Sequence, residues 1–146
     1  MDASTFQKPM AMAAAVLSAV FVSMLMYLVF FEPPWLTYTN LPFPVLNSPV
    51  KAGSSIRLTV SRCSTASVTR IYAVSRVLVD KDGKQLLLPA GLATIDPGCL
   101  DAVSASNGVP IDTPPGTYTL HGYGEIQGVV RTSSVRWESQ PFEVTP

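Results

Sequence analysis

The sequence is poor in the residues that carry chemistry. It has one histidine, His121, too few for the usual zinc sites, which need three or four ligands. No G-x-S-x-G elbow presents a nucleophilic serine, and no glycine-rich loop is placed to cradle a phosphate. The two cysteines, Cys63 and Cys99, lie far from a C-x-x-C spacing. There is no run of basic residues: ten Lys and Arg balance ten Asp and Glu. Nucleic acid and polybasic attachment to lipid both need a concentrated positive footprint, so neither is expected. These absences argue against an enzyme, a metal site or a cofactor.

The individual candidates give the same answer. On an extended strand His121 shares a face with Thr119 and Tyr123, opposite Tyr118 and Leu120, which makes it exposed or lightly packed. Asp80-Lys81-Asp82-Gly83 opens like a calcium loop, but the downstream ligands and closing glutamate are missing, so it reads as a hairpin turn. Asp96, Asp101 and Asp112 are scattered through loops as turn residues and caps, not paired in a cleft.

Charge is also missing from one long stretch. Residues 10–31 (MAMAAAVLSAVFVSMLMYLVFF) contain no charged side chain. A helix of that length spans roughly 33 Å, enough for a hydrocarbon core of ~30 Å. Tyr27, Phe30, Phe31 and Trp35 cluster at its outer end, where rings anchor in the membrane interface. Glu32-Pro33-Pro34 then stops the helix, because proline cannot continue it. Lys8 and the terminal amine precede the run, and no basic residue follows until Lys51. The positive-inside rule therefore predicts a cytoplasmic leader (1–9), a transmembrane helix (10–31) and an extracytoplasmic remainder, periplasmic in a bacterium.

A cleaved signal peptide is the rival reading, releasing a secreted module. The apolar run is too long for one and lacks a small-residue site at its end. Ala11, Ala15, Ala19 and Ser23 recur every four residues, a stripe that would let a second helix approach closely. Alanine-rich spans also give such spacings by chance.

After residue 31 no helical periodicity of any length appears. The proline-rich segment 32–48 is expected to run as a short linker into a first edge strand. Residues 49–146 then form the domain. Ser55–Cys63 alternates, with Ile56, Leu58 and Val60 on one face and Arg57, Thr59 and Ser61 on the other. Ile71–Val79 and Lys84–Leu88 flank the Asp-Gly turn as a hairpin. Gly98–Ser104, Thr117–Tyr123, Val129–Trp137 and Phe142–Val144 complete about seven short strands, with Pro141 at a bulge or edge. Gly122, Gly124 and Gly128 suggest bulges or close backbone approach near strand ends. This spacing predicts a mainly β fold, an antiparallel β-sandwich.

The stretch Asp112-Thr-Pro-Pro-Gly116-Thr-Tyr118-Thr-Leu120 resembles the turn and strand of immunoglobulin-like and fibronectin-type-III-like domains. In those families the tyrosine forms a corner, its hydroxyl bonding back to nearby backbone. The closing Ser139-Gln-Pro-Phe142-Glu-Val144 is similar to their last strand. The resemblance covers about residues 36–146 and implies an immunoglobulin-like sandwich. Their central tryptophan and inter-sheet cysteine pair are displaced here: Trp137 lies late, and Cys99 precedes the tyrosine strand.

An even cysteine count beyond a membrane favours a Cys63–Cys99 disulfide, worth about 4 kcal/mol for a loop of this size; two free buried thiols are the alternative. Tyr123, Ile126, Val129 and Val130 are candidates for an apolar partner surface, and edge strands offer another. The function expected is a membrane-anchored interaction or structural module. Small proteins of this plan suit accessory subunits of an envelope or membrane assembly, including those encoded by a phage or mobile element. The partner would be another membrane or extracytoplasmic protein, or a second copy of the chain. A tethered ligand receptor or enzyme domain is the alternative.

Overall fold

The computed structural model describes residues 4–31, 35–128 and 132–146, with side chains except those of residues 4–8, 31 and 105–107. Among the described residues one apolar helix, α1 (Ser4–Phe31), precedes nine strands. The helix starts six residues ahead of the expected run and carries Pro9 inside it. Its last residue, Phe31, stands directly before Glu32-Pro33-Pro34.

The strands are β1 (Leu36–Tyr38), β2 (Val50–Lys51), β3 (Ser55–Ser64), β4 (Arg70–Asp80), β5 (Gln85–Ile95), β6 (Gly98–Gly108), β7 (Gly116–Gln127), β8 (Thr132–Glu138) and β9 (Phe142–Thr145). They form a three-stranded sheet ordered β1-β3-β6 and a six-stranded sheet ordered β2-β9-β7-β4-β5, with β8 also paired to β7. The pairing is not wholly antiparallel, a correction to the sequence reading. Val50 and Lys51 of β2 run parallel to Val144 and Thr145 of β9. No hairpin joins β2 to β9, so no turn dictates their relative direction.

Within segment 35–48, β1 stands at the edge of the small sheet, and residues beyond it pack into the domain. Leu36 pairs with Ser64 of β3 and is buried in the second core cluster, and Phe43 is 1% exposed. Phe43 N–H donates to the Glu138 carbonyl at 2.8 Å.

The core lies between the sheets. One cluster joins Ile56 and Leu58 of β3 to Leu78, Leu120, Phe142 and Val144 of the larger sheet; a second gathers Leu36, Tyr72, Val74, Ile95, Ile126 and Val135. Each buried Leu, Ile or Val contributes about 1.5–3 kcal/mol, so this apolar interface holds the sheets together.

Three strands run longer than their sequence signals suggested. The hairpin turn forms as expected: Asp80 Oδ1 accepts from the N–H groups of Asp82 and Lys84, and Gly83 takes a φ of 81°. But β5 continues past Leu88 to Ile95. Its register on β4 shifts between Val74–Gly91 and Arg76–Leu88, leaving Pro89 and Ala90 opposite Ser75 alone. That bulge absorbs the proline and flips the strand's inward phase, from Leu88 to Gly91, Ala93 and Ile95. β6 runs on to Gly108. β7 continues through Gly122 and Gly124, which are strand residues rather than strand ends. Both backbones lie under rings: a Cβ on Gly122 would overlap the Trp137 indole, and one on Gly124 would sit 2.6 Å from Tyr72 Cε2.

Gly122→Ala should therefore cost about 1–3 kcal/mol through overpacking, measured by chemical denaturation of the full chain. A midpoint equal to wild type would show that Trp137 does not rest on that backbone.

Candidate functional site

The residues singled out from sequence fall in separate places. Ala11, Ala15, Ala19 and Ser23 are all exposed along α1, as are Tyr27 and Phe30; the Phe31 side chain is outside the described residues. Trp35 belongs to the β-domain, where it packs against the second core cluster, and the Arg70 guanidinium carbon lies 4.3 Å above its ring.

Cys63 and Cys99 are bonded and lie directly opposite one another on β3 and β6. The bridge thus joins neighbouring strands of one sheet, not two sheets. Tyr118 makes the corner contact implied by the resemblance, its hydroxyl donating to the Pro114 carbonyl at 2.9 Å.

Of the expected partner surface, Tyr123 and Ile126 do not share a face. Tyr123 is on the outer face of β7, where its hydroxyl donates to Glu125 Oε1 at 2.6 Å and Arg136 lies 5.5 Å from its ring. Ile126 points the other way and is 2% exposed. Strand alternation explains the split, because residues three apart on a strand face opposite sides. Val129 and Val130 lie outside the described residues. His121, also on the outer face, has Nδ1 3.9 Å from Glu138 Oε2.

The feature with chemical content is elsewhere, in a cleft of about 410 Å³ between the sheets. β5 and β6 flank its mouth with Leu92, Leu100 and Val103, and Trp137 lies on its wall. β3 contributes Arg62 in phase with Ile56, Leu58 and Val60; β4 contributes Arg76 in phase with Tyr72, Val74 and Leu78. The guanidiniums thus reach the cleft from opposite sheets, and among the described residues no carboxylate lines it.

Arg62 is held at the rim: it donates to the Thr94 carbonyl at 2.6 Å and lies 3.6 Å from the Asp96 carboxylate. Arg76 is not held in this way. Its Nε is buried with no hydrogen-bond partner among the described residues. The missing side chain of Gly91 makes room for it, since a Cβ there would sit 2.8 Å from Nη1.

Two tyrosines complete the lining. Their hydroxyls, Tyr38 and Tyr72, are 3.4 Å apart. Burial first, then the neighbouring Tyr72, holds the Tyr38 hydroxyl far above the usual tyrosine range; Arg62 and Arg76 pull weakly the other way. Tyr38 therefore keeps its proton as a donor. Two guanidiniums and two phenols in apolar walls can bind and orient an anion. Sequence reasoning missed Arg62 and Arg76. The available signal was their even phase, shared with the apolar residues of β3 and β4.

No protein-family model matches the sequence, and no curated protein matches it. Among solved structures, the chain is similar to the Pseudomonas fluorescens alkylpurine DNA glycosylase AlkC bound to DNA containing an abasic site analog. Identity is 14% and the TM-score 0.42, over 79% of this chain and 32% of that one. The chain spans about a third of that protein, and a likeness this weak carries no argument about fold or activity.

The tyrosine shift gives a pH prediction. An unfolded tyrosine titrates near pH 10. Because the folded-state value of Tyr38 is raised, its contribution to stability is full below about pH 10 and is lost as pH rises beyond that. The thermal midpoint should fall above about pH 10, and fall less in Tyr38→Phe, with Tyr38 ionising only as the domain unfolds. Tyrosinate absorbance followed along a melt checks this. Full ionisation of all tyrosines in the folded protein would contradict it.

Proposed function

We propose that the chain is a membrane-anchored interaction module. In this reading residues 10–31 form a single span, the N-terminus is cytoplasmic and the β-domain stands on the extracytoplasmic side. The observation that carries it is the helix itself. Pro9–Phe30 is 22 residues long and none of it is buried. A helix apolar all round belongs in lipid or against an apolar partner, since water would leave its whole surface unfavourably hydrated. The Cys63–Cys99 disulfide supports an oxidising compartment for the domain.

The domain is read as a variant of the immunoglobulin-like sandwich. Its two sheets with the core between them, and the Tyr118 corner contact, support that reading. Its role is to bind other membrane or extracytoplasmic proteins as an accessory subunit of an envelope assembly, of a kind phages and mobile elements encode. β5 and β6 end their sheets, and Leu87 and Leu92 on β5 are 79% and 75% exposed. Long apolar edges of this kind are natural places for another chain to pair. A ligand-binding receptor is the second reading, favoured by the arginine-lined cleft.

Expressed in its native host, the full chain should stay in carbonate-washed membranes with residues 10–31 present in its intact mass. A photo-crosslinker at Leu87 should capture a defined partner there, and one at Lys51 should not. A soluble mature protein lacking that segment would overturn the anchor, and recovery of uncrosslinked monomer alone would overturn the interaction role.

A further inference from the structure

The cleft between the sheets poses a charge problem. Arg76 is a half-buried residue at an inward position of β4, with its Nε buried and unpartnered among the described residues. A guanidinium partly withdrawn from water gains from an anionic or hydrogen-bonding counterpart. Arg62 has one in Asp96. Arg76 has no ion-pair partner among the described residues, so an anion entering the cleft would meet an unpaired guanidinium.

The local backbone keeps this site open. The bulge at Pro89–Ala90 shifts β5 beside Arg76, and Gly91 leaves the guanidinium room. Bulges and close glycines recur where a strand accommodates a site. The volume, about 410 Å³, lies in the range of small-molecule pockets, roughly 300–1,000 Å³.

We propose that this cleft binds a small carboxylate with an apolar body, of the fatty-acid type. The carboxylate accepts from Arg76 in the bidentate geometry that a guanidinium offers. Arg62 and the Tyr38–Tyr72 hydroxyl pair stand beside it. The apolar body lies along Leu58, Val60 and Trp137 and leaves past Leu92 and Leu100 at the mouth. A single net charge in the cleft matches a carboxylate better than a doubly charged phosphate. The proposal does not depend on the helix spanning a membrane.

The test is calorimetric titration of the full chain in zwitterionic nanodiscs, with empty nanodiscs subtracted. Three probes separate the contributions: octanoate, octanamide with the same body and no charge, and acetate with the head alone. Octanoate should bind saturably, and octanamide and acetate at least about tenfold more weakly. Arg76→Gln should lose about tenfold or more in octanoate affinity, with the disulfide and the β-sheet spectrum intact. Leu92→Glu provides a variant at a position too exposed to disturb folding, and its carboxylate should repel the same ligand at the mouth. Absence of saturable octanoate binding would overturn the proposal. So would octanamide binding as tightly as octanoate, or octanoate affinity unchanged in the folded variants.

Discussion

The interior of this domain depends on the two-residue alternation of its long strands. Once Leu58 and Val60 are committed inward on β3, Arg62 must follow them. Once Tyr72 and Val74 are inward on β4, so is Arg76. A one-residue slip would turn the arginines out but would also expose the apolar set, whose burial holds the sheets together. Core and cleft are therefore one consequence of register. β5 departs from it through the bulge at Pro89–Ala90, which lets it change phase beside Arg76, and β6 shifts register on β3 between Ser55–Gly108 and Arg57–Ala105.

Around that constraint the other contacts act as fasteners. The Cys63–Cys99 bridge ties β6 to β3 at the end of the small sheet. Gly122 and Gly124 let Trp137 and Tyr72 approach the β7 backbone closely. Phe43 wedges edge-on to Tyr38, 5.1 Å between ring centres, and 5.5 Å from Trp137. These aromatic contacts form the floor from which the two phenol hydroxyls rise.

Much of this was legible in the sequence. The uncharged run at 10–31 stands as an apolar helix, the Asp-Gly turn joins β4 to β5, and the two cysteines pair. What escaped did so for physical reasons. The second half of β5 breaks alternation at its bulge, so a period-two reading stops at Leu88. The glycines of β7 look like strand ends until the rings that cover them are known. Phe43 sits among prolines, and only its distant partner at Glu138 makes it core. The site escaped because a charged residue at an apolar phase reads locally as noise; only the facing sheet shows that Arg62 and Arg76 share one cleft. Ile126 was misplaced by neglecting the same alternation.

An arginine-lined interior requires the Arg76 Nε to be shielded from water. Arginine guanidinium NMR of the full chain measures how fast each Nε–H exchanges with water. Arg76 should exchange far more slowly than Arg57 and Arg136, whose side chains are exposed. Equal exchange rates at the three arginines would place Arg76 in solvent and contradict the arginine-lined interior.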